Sequence, residues 1–224
     1  MDIVFVPGSG RDGAAAWPAQ SSAQLGVGVR PVFLTSGDAG APATAVLKAL
    51  GEEGGHVVAH SSGAVAATLA ASSHPGLVRS LVLFEPACFA LARGGVEVER
   101  HVTEMSPVFE DADKSSVSDQ EFAARFLTAL GAEPPFPPEP ALSAMGRRLR
   151  AVPPPWSYAY DASFISAVPT LVITGGWNAL YDEVAVELQE AGATHVVLPG
   201  FGHRPQDHER ASRLLLEHWA RPGS

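Results

Sequence analysis

Cysteine is nearly absent. Cys88 is the only one in 224 residues, which excludes an intrachain disulfide and leaves the redox compartment open. Positive charge is also scarce: 15 Lys and Arg stand against 24 Asp and Glu, for a formal net charge of -9 and a pI near 5.3. Nucleic acid and anionic membrane surfaces are therefore poor partners, because their phosphates are repelled rather than neutralised. No apolar run reaches the length of a bilayer-spanning helix, and no basic segment leads into an apolar stretch after Met1-Asp2. The expectation is a chain with neither signal peptide nor membrane span, located in the cytoplasm. Internal repeats and low-complexity segments are missing as well. What remains is a chain 46% hydrophobic, long enough for one α/β domain with a sizeable core but short for two independent ones.

Apolar runs alternate with helical patterns along most of this length. Asp2-Ile3-Val4-Phe5-Val6 reads as a buried parallel strand that stops at Pro7-Gly8-Ser9-Gly10. A helix to about Gln24, a strand over 29–34 and a helix over 42–53 with Pro at its first turn follow. Gly54-Gly55 ends that helix. After a strand at Val57-Val58 and an alanine-rich helix to His74, Leu81-Val82-Leu83-Phe84 forms a fourth strand closed by Glu85-Pro86. Residues 87–168 break the rhythm, being mostly helical in pattern and interrupted by Pro134-Pro135-Phe136-Pro137-Pro138 and Pro153-Pro154-Pro155. The rhythm returns with Thr170-Leu171-Val172-Ile173-Thr174, a helix over 184–191, a strand over 195–198 and a closing helix over 207–219. These elements predict a mostly parallel, doubly wound α/β sheet of about six strands with right-handed crossovers. The core is expected over 1–86 and 169–224, with 87–168 inserted as a helical lid over the strand ends.

The chemistry is expected at Val57-Val58-Ala59-His60-Ser61-Ser62-Gly63-Ala64. A β-branched run stops there at Ser61, with Ala59 two residues before it and Gly63 two after, and an alanine-packed helix follows. A nucleophile on such a strand-to-helix turn is held in a strained backbone, and small flanking residues let strand and helix approach. Ser62 fits this role less well, since His60 and Ala64 would occupy the small positions. The plainer reading makes Ser61 a helix N-cap. The pattern is G-x-S-x-G with Ala in place of the first Gly, and on it the chain resembles the α/β-hydrolase superfamily. The resemblance covers both core portions, without that family's N-terminal hairpin. It implies an oxyanion hole made by the Ser62 N–H and an amide of the Ser9 or Gly10 region, with Pro7 where His is usual. Gly8-x-Gly10-x-x-Gly13 also matches a dinucleotide fingerprint. However, the strand near Val32-Phe33-Leu34 runs into Thr35-Ser36-Gly37, leaving Asp38 as a loose candidate for the expected acid.

Pro199-Gly200-Phe201-Gly202-His203 follows the last strand and presents His203 as the base, in the order Ser…acid…His that the resembled fold uses. The other histidines, His60 among them, read as structural, and a metal site at His203, Asp207 and His208 lacks a ligand pattern. In most of the resembled family an Asp follows the strand after the insertion, but Asn178 occupies its place. Glu85, directly after the fourth strand, is the preferred acid. Asp182 is the alternative, with an N-cap as its simpler role. The implied activity is serine acyl transfer on a small, largely apolar ester, thioester or related carbonyl compound, with no cofactor and no metal. Haloalkane-dehalogenase and epoxide-hydrolase chemistry is disfavoured because the nucleophile is not Asp. A different class stays open, namely a vestigial ligand-binding or accessory protein, or a non-hydrolytic lyase, on the same fold. Trp177, Trp156 and Phe89 are expected in the substrate pocket. Arg147, Arg148 and Arg150 read as a solvated helix face, so the aromatic insertion and the negative net charge favour neutral acyl groups.

Overall fold

The computed structural model describes residues 2–23, 25, 28–35 and 42–220. Asp38 and the expected end of the first helix at Gln24 lie outside the described residues. Six strands form one sheet: β1 (Asp2–Val6), β2 (Arg30–Phe33), β3 (Gly55–His60), β4 (Val78–Phe84), β5 (Thr170–Thr174) and β6 (Thr194–Val197). Their order is β2-β1-β3-β4-β5-β6 and every pairing is parallel. The expected α/β sheet is thus what the chain forms, with β1, β3, β4 and β5 inside it.

Period-two alternation sends the strand side chains to two apolar layers. Val57, Ala59, Leu81, Leu83 and Val172 face one layer, together with the inner faces of α2 (Pro42–Leu50), α3 (Gly63–Ser73) and α7 (Ala179–Glu190). Ile3, Phe5, Val58, Val82, Phe84 and Ile173 face the other, with Trp17 just before α1 (Pro18–Ser22) and Leu215 of α8 (Ala211–Trp219). Because both faces are covered, the central strands read as continuous hydrophobic runs rather than alternating ones.

Between β4 and β5 lie α4 (Val96–Phe109), α5 (Asp119–Ala129) and α6 (Glu139–Arg150). Phe122, Leu142, Met145 and Leu149 give these helices an apolar cluster of their own. The crossing of α5 and α6 is tight at Gly146, where an added Cβ would stand 1.9 Å from the Asp119 carbonyl oxygen. The rest of the segment joins the main core through Cys88, Phe89, Val98, Phe164 and Val168. The start of α4 has no side-chain cap of its own; the Glu183 carboxylate of α7 supplies one, accepting the Glu97 N–H at 3.0 Å and the Val98 N–H at 2.9 Å.

Two elements differ from expectation near the site. The seventh helix starts at Ala179, five residues earlier than its apolar periodicity suggests, because Asn178 caps it by accepting the Leu180 N–H at 3.0 Å. The cap role assigned to Asp182 therefore belongs to Asn178. The closing helix starts at Ala211; Pro205–Asp207 form a separate 3-10 turn, and His208 sits between the two with its Nδ1 accepting the Arg210 N–H. Among the described residues no helix is long and apolar enough to cross a membrane.

Candidate active site

Ser61 ends β3 in the left-handed region, at φ 54°. Side chains larger than glycine's rarely adopt this conformation, and such strain persists only where surrounding structure holds it. Here the Ser61 N–H donates to the Phe84 carbonyl at 3.0 Å, and the Ser61 carbonyl accepts from Ala64 at 3.0 Å and Ala87 at 3.1 Å. The elbow is thereby locked to the end of β4. Gly63 shows why the flanking residues are small: an added Cβ would lie 2.4 Å from the Pro7 oxygen and 2.7 Å from the Val6 oxygen. The N-cap position of α3 is Ser62, without a side-chain cap bond; the Ser61 hydroxyl points elsewhere.

It points to His203. Ser61 Oγ and His203 Nε2 are 3.1 Å apart, and His203 Nδ1 faces Glu85 Oε2 at 3.4 Å. The carboxylate beside Nδ1 fixes the proton on that nitrogen, which leaves Nε2 free to accept the serine proton. Glu85 is fully buried and accepts the Gly175 N–H at 2.5 Å and the Trp177 Nε1–H at 3.0 Å. It too has positive φ, 45°, so the two non-glycine residues in that region among those described are both at this site. Asp182, the alternative acid, lies in the first turn of α7 with one carboxylate oxygen buried and unpartnered among the described residues.

Three neighbours complete the arrangement that the sequence did not suggest. His60 is buried, and desolvation holds its pKa well below the usual histidine value, so it is neutral. Its Nε2–H donates to the His203 carbonyl at 2.8 Å. The other side of that ring meets the first loop, since a Cβ on Gly8 would lie 3.1 Å from His60 Nδ1. His60 thus ties the His203 loop to the Pro7-Gly8-Ser9-Gly10 loop. Tyr181 packs its ring 4.9 Å from that of His203, and its place one helical turn after the capping Asn178 was the available signal. Arg148 reaches from α6 to the Ser9 carbonyl, with Nη2 at 2.7 Å.

A cavity of about 440 Å³ opens at Ser61 and His203, walled by Gly8, Ser9, Gly10 and Ser62 and by side chains of the inserted helices. Phe89 and Trp156 line it, with Phe109, Phe126 and Tyr158. Trp177 does not: it is half exposed and turned back onto Glu85. Arg148 is in the wall as well, which corrects the reading of all three arginines as solvated. The reason is helical spacing, because Arg148 lies three residues after Met145, another wall residue, whereas Arg147 and Arg150 face Asp119. Asp207 and His208 hold no metal geometry with His203: both Asp207 oxygens take the Arg204 guanidinium, at 2.6 and 2.8 Å.

No protein-family model and no curated protein sequence matches the chain. Solved structures do. A carboxylesterase of the ammonia-oxidizing thaumarchaeon Nitrososphaera gargenis superposes with a TM-score of 0.65 at 15% identity, over 98% of this chain and 89% of that one. A thermophilic esterase of Thermogutta terrifontis gives 0.66 at 16% identity, over 100% and 91%. NosK of Streptomyces actuosus gives 0.59 at 21% identity, over 97% and 96%. With its parallel sheet, its elbow after β3 and these likenesses, the chain has the α/β-hydrolase fold.

Proposed function

We propose that the protein is a serine hydrolase that cleaves a small ester or thioester with a largely apolar acyl portion. The observation that carries this reading is the 3.1 Å contact between Ser61 Oγ and His203 Nε2, with the Glu85 carboxylate behind the ring. Ser61 attacks the carbonyl carbon while His203 takes its proton. Glu85 stabilises the imidazolium and holds its orientation, and the same proton then goes to the leaving group. Water repeats the sequence on the acyl-enzyme. The developing oxyanion is received by the Ser62 N–H, at the helix N-terminus where the first amides have no intrahelical partner, and by an amide of Ser9 or Gly10. The helices over 87–168 act as the lid that keeps bulk water from the acyl group. That two of the structurally similar proteins are esterases supports the class.

A panel of ethyl esters of graded acyl length, assayed with wild type and Ser61→Ala, tests the proposal. Turnover that Ser61→Ala abolishes is expected; the absence of turnover across the panel, or its survival in the variant, refutes the reading.

A further inference from the structure

The charges around the cavity are sorted against the composition of the chain. Acids outnumber bases 24 to 15 overall, yet among the described residues the wall holds three arginines, Arg11, Arg148 and Arg204, and neither Asp nor Glu. Arg204 is neutralised by Asp207. Arg148 is half-buried, and its hydrogen-bond partner among the described residues is the uncharged Ser9 carbonyl, reached by Nη2 at 2.7 Å and Nε at 3.3 Å. A guanidinium against apolar surface without a counter-charge is costly, and a bound anion offsets that cost.

We infer that the substrate carries a carboxylate on its acyl portion, bound by Arg148; this rests on the hydrolase reading of the same site. The planar donor fork of Arg suits a carboxylate. Position narrows the chemistry further. Gly8 abuts the nucleophile, since a Cβ there would stand 3.0 Å from Ser61 Cβ, and the arginine holds the very next residue. The anion therefore sits a short methylene chain from the scissile carbonyl, and Met145 and Leu149 in the same wall cover that chain. The net charge of -9 argues for neutral substrates only at long range, where salt screens it beyond about 10 Å; the wall charges act at contact.

The test compares monoethyl succinate, glutarate and adipate with the corresponding neutral primary amides. For at least one chain length kcat/KM should favour the acid by about tenfold or more, the scale of a charge-assisted hydrogen bond. Arg148→Gln should bring that ratio close to one, and Arg148→Lys, which keeps the charge, should retain a preference. Calorimetric binding of each pair to Ser61→Ala gives the same comparison without turnover, which separates this inference from the hydrolase reading. Tighter binding of the acid with no turnover by wild type refutes hydrolysis and supports the anion site. Equal affinity for acid and amide at all three lengths, or a preference that survives Arg148→Gln, overturns the anion site.

Discussion

Trp177 donates its indole N–H to Glu85 Oε2 at 3.0 Å, the same oxygen that faces His203 Nδ1 at 3.4 Å. With the Gly175 N–H on the other oxygen, the buried carboxylate meets donors on both sides. Both of its oxygens are therefore engaged, which fixes the orientation of the carboxylate against the His203 ring.

Glu85→Gln should accordingly lower kcat by up to about four orders of magnitude, the scale of losing the third triad member. Its amide nitrogen would confront either the Trp177 or the Gly175 donor. Asp182→Asn should act mildly, because the carboxylate at His203 Nδ1 is that of Glu85. Steady-state kinetics with circular dichroism as the folding control decide the matter; if Asp182→Asn is the crippling change, Glu85 is structural.

Gly63→Ala should destabilise the fold by about 1–3 kcal/mol, as overpacking does, and depress activity with it. The atoms its Cβ would meet, the Val6 and Pro7 oxygens, are backbone of the strand and loop beside Ser61. Gly76→Ala, where nothing lies within 4 Å, should stay within about 0.5 kcal/mol. Urea unfolding of both variants checks this, and equal midpoints would remove the close approach from the explanation of the elbow.

Acid should weaken the fold between pH 6.5 and 4. Burial lowers His56 and His101 to about 4, and it lowers His60 and His195 as well. All four are neutral in the native state and gain protons more readily when unfolded. For His56 and His101 the contribution is fully present above the unfolded value near 6.5 and is lost as pH falls toward 4, at up to about 1.4 kcal/mol per pH unit for each; His60 and His195 act in the same direction. A urea midpoint that falls between pH 7.5 and 5 is expected; a flat profile contradicts the burial of these rings.

Much of this arrangement is legible in the chain itself. Ala59 and Gly63 around Ser61, and Gly202-His203 after the last strand, have local causes: tight backbone approach and a loop at a strand end. Glu85 is legible as a neighbour because β4 lies beside β3, so both strands end at one edge. Trp177 and Arg148 are not. An aromatic after Gly175-Gly176 can turn to the cavity or to the carboxylate, and which it does depends on where Glu85 sits in space. A run of arginines on a helix reads as solvated until the packing of Met145 and Leu149 fixes which face is turned inward. The α7 start is hidden for a similar reason, since the cap residue Asn178 stands where an acid is expected.

The central claim is that Ser61 is a nucleophile activated by His203, and labelling with a fluorophosphonate followed by intact-mass and peptide analysis tests it most directly. Wild type should gain a single adduct mapped to Ser61, Ser61→Ala should gain none, and His203→Ala should not be labelled on the same timescale. Labelling that persists in Ser61→Ala, or folded wild type that takes no label, would contradict the account.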